Sequence, residues 1–131
     1  MDEILIRMAY RARENAYTPY SHYRVGAALL CTDGTIYTGC NIENAAYGNA
    51  FCAERTALVK AVSEGKRSFK KIAIVGEGSA PYPCGACRQS LFEFAPDIEI
   101  LVAWDGKIVR TDLRAMLPCG FGPSSLGIGE E

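Results

Sequence analysis

Apolar positions recur along the chain with two periods. Between residues 2 and 16, Ile4, Leu5, Met8, Ala9, Ala12 and Ala16 fall at helical spacing, with Arg and Glu on the other face. Pro19 ends any continuation of that helix. From Tyr23 to Cys31 the period drops to two, with Val25, Ala27, Leu29 and Cys31 on one side. Asp33-Gly34 follows, and Thr35 to Cys40 alternates again, which predicts a hairpin. Residues 41–51 read as a loop. CAERTALVKAVSEG, from Cys52, has helical character and stops at Gly65. Lys71 to Glu77 is a short apolar strand, GSAPYP a loop, and CGACRQSLFEFA a second helix closed by Pro96. IEILVA predicts another strand, Asp105-Gly106 a turn into KIVRT, and Asp112 to Leu117 a brief helix before a Gly/Pro/Ser tail. The order α-β-β-α-β-α-β-β-α describes an α/β fold with one mixed five-stranded sheet flanked by helices. Strand–helix–strand segments favour parallel pairing at its centre, and the Asp-Gly hairpins favour antiparallel edges.

Composition narrows the functional classes. A length of 131 residues suits one domain, expected to span 1–131. No apolar run approaches the ~18 residues that a membrane span needs. The start, Met1-Asp2-Glu3-Ile4, is acidic and then amphipathic, unlike a secretory signal, so the cytoplasm is expected. Fourteen basic residues against fifteen acidic leave a formal charge of −1, which argues against nucleic acid and for a small-molecule substrate. Six cysteines suggest a disulfide framework only in a small secreted chain with a weak core; otherwise clustered cysteines point to metal or catalysis.

Two motifs carry the chemistry: Cys52-Ala53-Glu54 and Pro83-Cys84-Gly85-Ala86-Cys87. Both fall in the first turn of an expected helix, where free N–H groups and partial positive charge favour the metal-binding thiolate. Cys84 and Cys87, three apart, project from one side of a turn, and Cys52 supplies a third ligand from the other helix. Three protein ligands leave a coordination position open, the mark of a catalytic zinc site, where water ionises near neutral pH. Glu54 is placed to move protons beside such a water without ligating. Three thiolates around Zn²⁺ leave one net negative charge, which weakens acidification of water. Arg55 and Arg88 could both offset it. Arg55 is the expected tuning group, and Arg55→Gln should raise the apparent pKa of activity.

Taken singly, each feature has a plainer reading. A lone CxxC fits a redox dithiol, a structural zinc site or coincidence. A structural site would need a fourth ligand, for which Cys31, Cys40 and Cys119 are available, although Cys31 and Cys40 sit in strand patterns that suit small buried cysteines. His22, the only histidine, precedes a strand and reads as a surface residue. CxE about thirty residues ahead of PCxxC is the specific combination.

TPYSHYRVGAALL, GCNIENAAY, CAERTAL and PCGACRQ, together with LPCGFGPSSL, resemble the small homotetrameric cytidine deaminases over nearly the whole chain. That resemblance implies a three-layer α-β-α fold and one Zn²⁺ per subunit. It implies hydrolytic deamination of free cytidine and 2′-deoxycytidine to uridine and 2′-deoxyuridine in pyrimidine salvage. Water adds at C4, Glu54 protonates N3 and then the amino group, and ammonia leaves. By the same resemblance, Asn41 and Glu43 hydrogen-bond the ribose 3′-hydroxyl, the Ala53 amide contacts the pyrimidine carbonyl, and Phe121 reaches a neighbouring subunit's site. Tyr23 stands where the family usually has Phe stacking on the pyrimidine, and its hydroxyl needs a partner if buried. Free cytosine is expected to be poor, because a site built to bond a hydroxyl rejects a ligand without one. Blasticidin-type deaminases share size and motif, but the NIEN segment favours a ribose. A non-catalytic zinc module would not be expected to keep Glu54.

Overall fold

The computed structural model describes residues 1–128. Helix α1 (Asp2–Arg13) is followed by strands β1 (Gly26–Cys31) and β2 (Ile36–Cys40), helix α2 (Ala53–Ser63), strand β3 (Phe69–Gly76) and helix α3 (Gly85–Phe94). Strands β4 (Glu99–Trp104) and β5 (Lys107–Asp112) and the short α4 (Leu113–Met116) complete the fold. The five strands form one sheet in the order β2-β1-β3-β4-β5. β3 and β4 pair in parallel, and the other three pairings are antiparallel. The expected mixed sheet is present, with its parallel character confined to one pair.

Alternation along the central strands explains the layers. Ala28 and Leu30 of β1 face α1, packing with Leu5, Ala9, Ala73 and Val75. Ala27 and Leu29 point the other way, into a larger core where Ile72, Ile74 and Ile100 meet α2 and α3. Helices therefore cover both faces, and every residue of β1 is buried. Truncating a side chain such as Leu29 to Ala should cost about 2–5 kcal/mol.

The hairpins close as their dipeptides demand. Asp105 and Gly106 both have positive φ, 48° and 79°, the conformation of a two-residue primed turn between β4 and β5. The β1–β2 loop turns at Gly34, φ 93°. Several boundaries differ from the pattern. α1 ends at Arg13 rather than 16, because Tyr17 leaves to bridge Ile42. β1 begins at Gly26 rather than Tyr23, because the Asn41 side chain binds the preceding backbone. β3 starts at Phe69, where it pairs with Cys31 beyond a bulge. Cys52 and Cys84 are not helical residues but the caps just before α2 and α3. Short 3₁₀ turns at Tyr47–Asn49 and Pro123–Leu126 lie within expected loops. Among the described residues, no helix is long and apolar enough to cross a membrane.

Candidate active site

β2 and β3 each run antiparallel to β1, so their C-terminal ends lie at the same edge of the sheet. α2 starts beyond the end of β2 and α3 beyond the end of β3, which brings the two helix N-termini together. Close approach of α2 to the sheet depends on Gly39, where a Cβ would lie 2.6 Å from both the Ala53 carbonyl and the Ala57 amide.

Cys52 and Cys84 cap their helices with extended backbone, and neither side chain makes a capping hydrogen bond, so both thiols are free to face one another. Cys52 Sγ lies 3.7 Å from Cys84 Sγ, which lies 3.5 Å from Cys87 Sγ. Zn–S bonds of about 2.3 Å in a tetrahedron hold sulfurs roughly 3.8 Å apart, so the trio fits Zn²⁺. Among the described residues it is the one cluster of three such side chains close enough to share an ion. Cys31, Cys40 and Cys119 stand outside it, buried, half-buried and exposed in turn, and among the described residues no fourth protein ligand closes the site.

Glu54 is 4% exposed, the one buried charged residue among the described residues. Burial pushes its carboxyl up to about 7; its own backbone amide pulls the other way, and the neighbouring Cys52 charge adds to the rise. The Cys52 thiol is held down to about 5 by hydrogen bonding from Cys87, against burial, with Cys84 and Arg55 adding to the effect. The Cys52 hydrogen bond does most to push the Cys87 thiol the other way, and burial and the negative neighbours Glu54 and Cys52 add to the rise. Arg55 lies against the cluster. Burial disfavours its charge, but the Cys52 thiolate outweighs burial and keeps the guanidinium protonated. It also donates to the Ala50 carbonyl at 3.3 Å and rests on the Phe51 ring. Arg88 is engaged elsewhere, and its guanidinium donates to the carbonyls of Pro83, at 2.7 Å, and Met116, at 2.9 Å.

In front of the thiols is a cavity of about 150 Å³, lined by Tyr23, Val25, Asn41, Cys52, Ala53, Glu54, Pro81, Tyr82 and Cys84. The Asn41 amide accepts from the Val25 N–H and donates to the Tyr23 carbonyl, leaving one N–H and one lone pair unused. Ala53 is the first residue of α2, so its N–H has no partner within the helix. Tyr23 donates its hydroxyl to the Ser79 carbonyl at 2.9 Å. Glu43 is not part of this lining. It borders a neighbouring hollow of about 320 Å³ with Tyr20, Ser21 and Tyr47. There its carboxylate accepts from the Tyr20 and Ser21 amides and the Ser21 hydroxyl, the last doing most to hold it below the usual carboxylate range. Phe121 is 59% exposed and absent from its own chain's cavity. His22 is exposed, as expected, with φ 58°.

Compared with known families, residues 1–103 match the cytidine and deoxycytidylate deaminase zinc-binding region. The chain belongs to this deaminase family. It is 50% identical to the cytidine deaminase of Sporosarcina psychrophila over 98% of this chain and 97% of that one. The crystal structure of cytidine deaminase from Burkholderia pseudomallei superposes with a TM-score of 0.89 at 45% identity, covering 92% of this chain and 99% of the other. Blasticidin-S deaminase of Bacillus cereus is similar at a lower level, 31% identity over 89% of each chain. Zinc is thus the cofactor, in keeping with the three-thiol cluster.

Sequence reasoning missed three lining residues of this deaminase cavity: Val25, Pro81 and Tyr82. Pro81 and Tyr82 stand in the GSAPYP stretch just ahead of Cys84, and that adjacency to a ligand motif was the available signal. Val25 carried none, since its alternation marks it only as a strand residue.

Proposed function

We propose that this chain is a single catalytic domain, residues 1–131, that hydrolyses cytidine and 2′-deoxycytidine to uridine and 2′-deoxyuridine with release of ammonia. The observation that carries this reading is a buried carboxylate, Glu54, lining one cavity with Cys52 and Cys84 of the three-thiol cluster. Cys52, Cys84 and Cys87 would hold Zn²⁺, which when bound supplies a Lewis acid that makes water nucleophilic near neutral pH. Glu54 takes the proton of the attacking water, passes it to N3, and then helps protonate the amino group. The C4–N bond breaks, and the electron pair leaves with ammonia. Burial suits Glu54 to this exchange, since a carboxyl poised near neutrality both accepts and returns a proton.

Arg55 offsets the surplus negative charge of the thiolates and cannot itself deprotonate. Asn41, with a donor and a lone pair to spare, and the free Ala53 amide hold the nucleoside by its sugar and its pyrimidine carbonyl. The Tyr23 ring stacks on the base. Glu43 serves the ribose from the adjoining hollow, which requires the sugar to extend out of the smaller cavity. Phe121 is read as reaching the site of a neighbouring copy in a homotetramer. Its carbonyl accepts from Gln89 Nε2 at 2.7 Å, and a Cβ at Gly120 or Gly122 would lie 2.8 Å from the Phe92 ring. These contacts press the tail onto α3 and leave the Phe121 side chain outward. Six free thiols suit a reducing compartment, so the cytoplasm remains the expected location.

The test follows cytidine absorbance with purified protein and a Glu54→Gln variant, with zinc measured in both. The expected result is uridine formation by the wild type and a variant that keeps zinc but loses about 10²–10⁴ in rate. Zinc without turnover of either nucleoside would sink the substrate assignment and direct the search to blasticidin-like aminopyrimidines.

A further inference from the structure

The Tyr23 hydroxyl is not needed for stacking, since a phenyl ring presents the same face. Its contacts point to a second role. Tyr23 precedes β1, on one side of the cavity. Its bond goes to the Ser79 carbonyl, in the segment 77–84 between β3 and α3. That segment also supplies Pro81 and Tyr82 to the cavity lining and ends at Cys84. Its other attachments are at its ends: Gly78 N–H donates to Asp105 at 3.0 Å, Glu77 pairs with Arg24, the residue after Tyr23, at 3.7 Å, and the Pro83 carbonyl accepts from Arg88. Room for the hydroxyl depends on Gly76, where a Cβ would lie 2.6 Å from the Tyr23 oxygen and 3.1 Å from Pro81 Cβ.

Resting on the deaminase reading, we infer that Tyr23 is a positioning residue: its hydroxyl latches segment 77–84 and so fixes Pro81 and Tyr82 in the lining of the cavity that receives the pyrimidine. Losing the latch leaves Glu54 and the thiol cluster in place but lets Pro81 and Tyr82 drift, so binding suffers before chemistry does.

Tyr23→Phe keeps the ring and removes the bond. On the zinc-loaded enzyme, KM for cytidine should rise about three- to tenfold, the range a single hydrogen bond supports. Values of kcat should stay within about twofold, with zinc content unchanged. Amide exchange at Glu77, Gly78, Ser79, Ala80 and Tyr82 should quicken, a readout independent of substrate. Gly76→Ala should raise KM as well, by pushing the hydroxyl, its nearest neighbour, off the Ser79 carbonyl. Adding Tyr23→Phe to it should cost little more, because both changes break one bond. Unchanged KM and exchange in Tyr23→Phe overturn the latch. So do fully additive effects in the double variant, or a fall in kcat with zinc loss at constant KM. If the wild type ignores cytidine while Tyr23→Phe still loosens 77–84, the substrate reading fails and the latch stands.

Discussion

The N-termini of α2 and α3 are built alike and serve different ends. Each opens with a cysteine in the cap position whose thiol makes no capping hydrogen bond. Two residues on, α2 has the buried Glu54 and α3 the exposed Ala86. Three residues on, where a side chain returns to the face of the cap residue, α2 has Arg55 and α3 has Cys87. One end therefore gives a thiolate, a proton carrier and a positive charge. The other gives two thiols and commits its arginine, Arg88, to backbone carbonyls. The shared helix-end field favours thiolates at both, but the residues two and three positions on decide which end binds metal more fully and which end carries the acid–base chemistry.

Breaking the metal-holding side should have the largest effect. Cys87→Ala removes a fully buried thiol from a cluster with no spare ligand among the described residues, so zinc should be lost on desalting and activity should fall to background. Metal analysis after gel filtration checks this. Full zinc retention would mean that the ion sits elsewhere.

The two arginines give the next contrast. Arg55→Gln removes the positive charge beside Cys52 and should lower kcat/KM about 10- to 100-fold near neutral pH. The loss should shrink as pH rises, because a more negative cavity gives up its protons at higher pH. Arg88→Gln should leave the pH profile alone and destabilise by about 1–3 kcal/mol, since two carbonyls lose a charged donor. In a melting experiment that is a fall of roughly 3–10 °C. A shifted profile in Arg88→Gln, or an unshifted one in Arg55→Gln, would erase the distinction between the helices.

That division was largely legible in the sequence, because it is local. Cys84 and Cys87 are three residues apart, a spacing that helix geometry converts into a shared face, and Cys52 and Glu54 fall in one first turn. The five strands were legible for a similar reason: alternation in β1 records two packed faces, and Asp105-Gly106 records a turn with two positive φ angles. What pattern could not show were contacts between segments far apart in the chain. Asn41 pins the backbone of Tyr23 and Val25 and so delays the start of β1. Glu43 is captured by the Tyr20–Ser21 turn and borders its own hollow. The sequence favours Arg55 over Arg88 as the tuning group, but that Arg88 is taken up by the carbonyls of Pro83 and Met116 shows only in the fold.

A third helix N-terminus serves as the control and carries the smallest expected effect. α1 also places negative charge at its first turn, but as carboxylates, on the opposite face of the sheet. Asp2 accepts from Lys71 at 2.7 Å and pairs with Arg110 at 3.4 Å, tying the helix to β3 and β5. The Lys71 hydrogen bond, against a little burial, lowers the Asp2 pKa below its ordinary value. A carboxyl with a depressed folded pKa stabilises fully above its unfolded value near 4, and the contribution disappears as pH falls through the folded value. Asp2→Asn should thus cost about 0.5–1 kcal/mol at pH 7, as expected for a partly exposed pair at a helix end. The gap from wild type should narrow as pH falls below about 4 in urea titrations, as the carboxyl loses its charge. A gap that does not narrow in acid would assign the loss to packing rather than charge, and α1 would cease to be an electrostatic counterpart of the two helices at the site. Zinc content and kcat should be unaffected at either outcome, because no residue of α1 lines the cavity in front of Glu54.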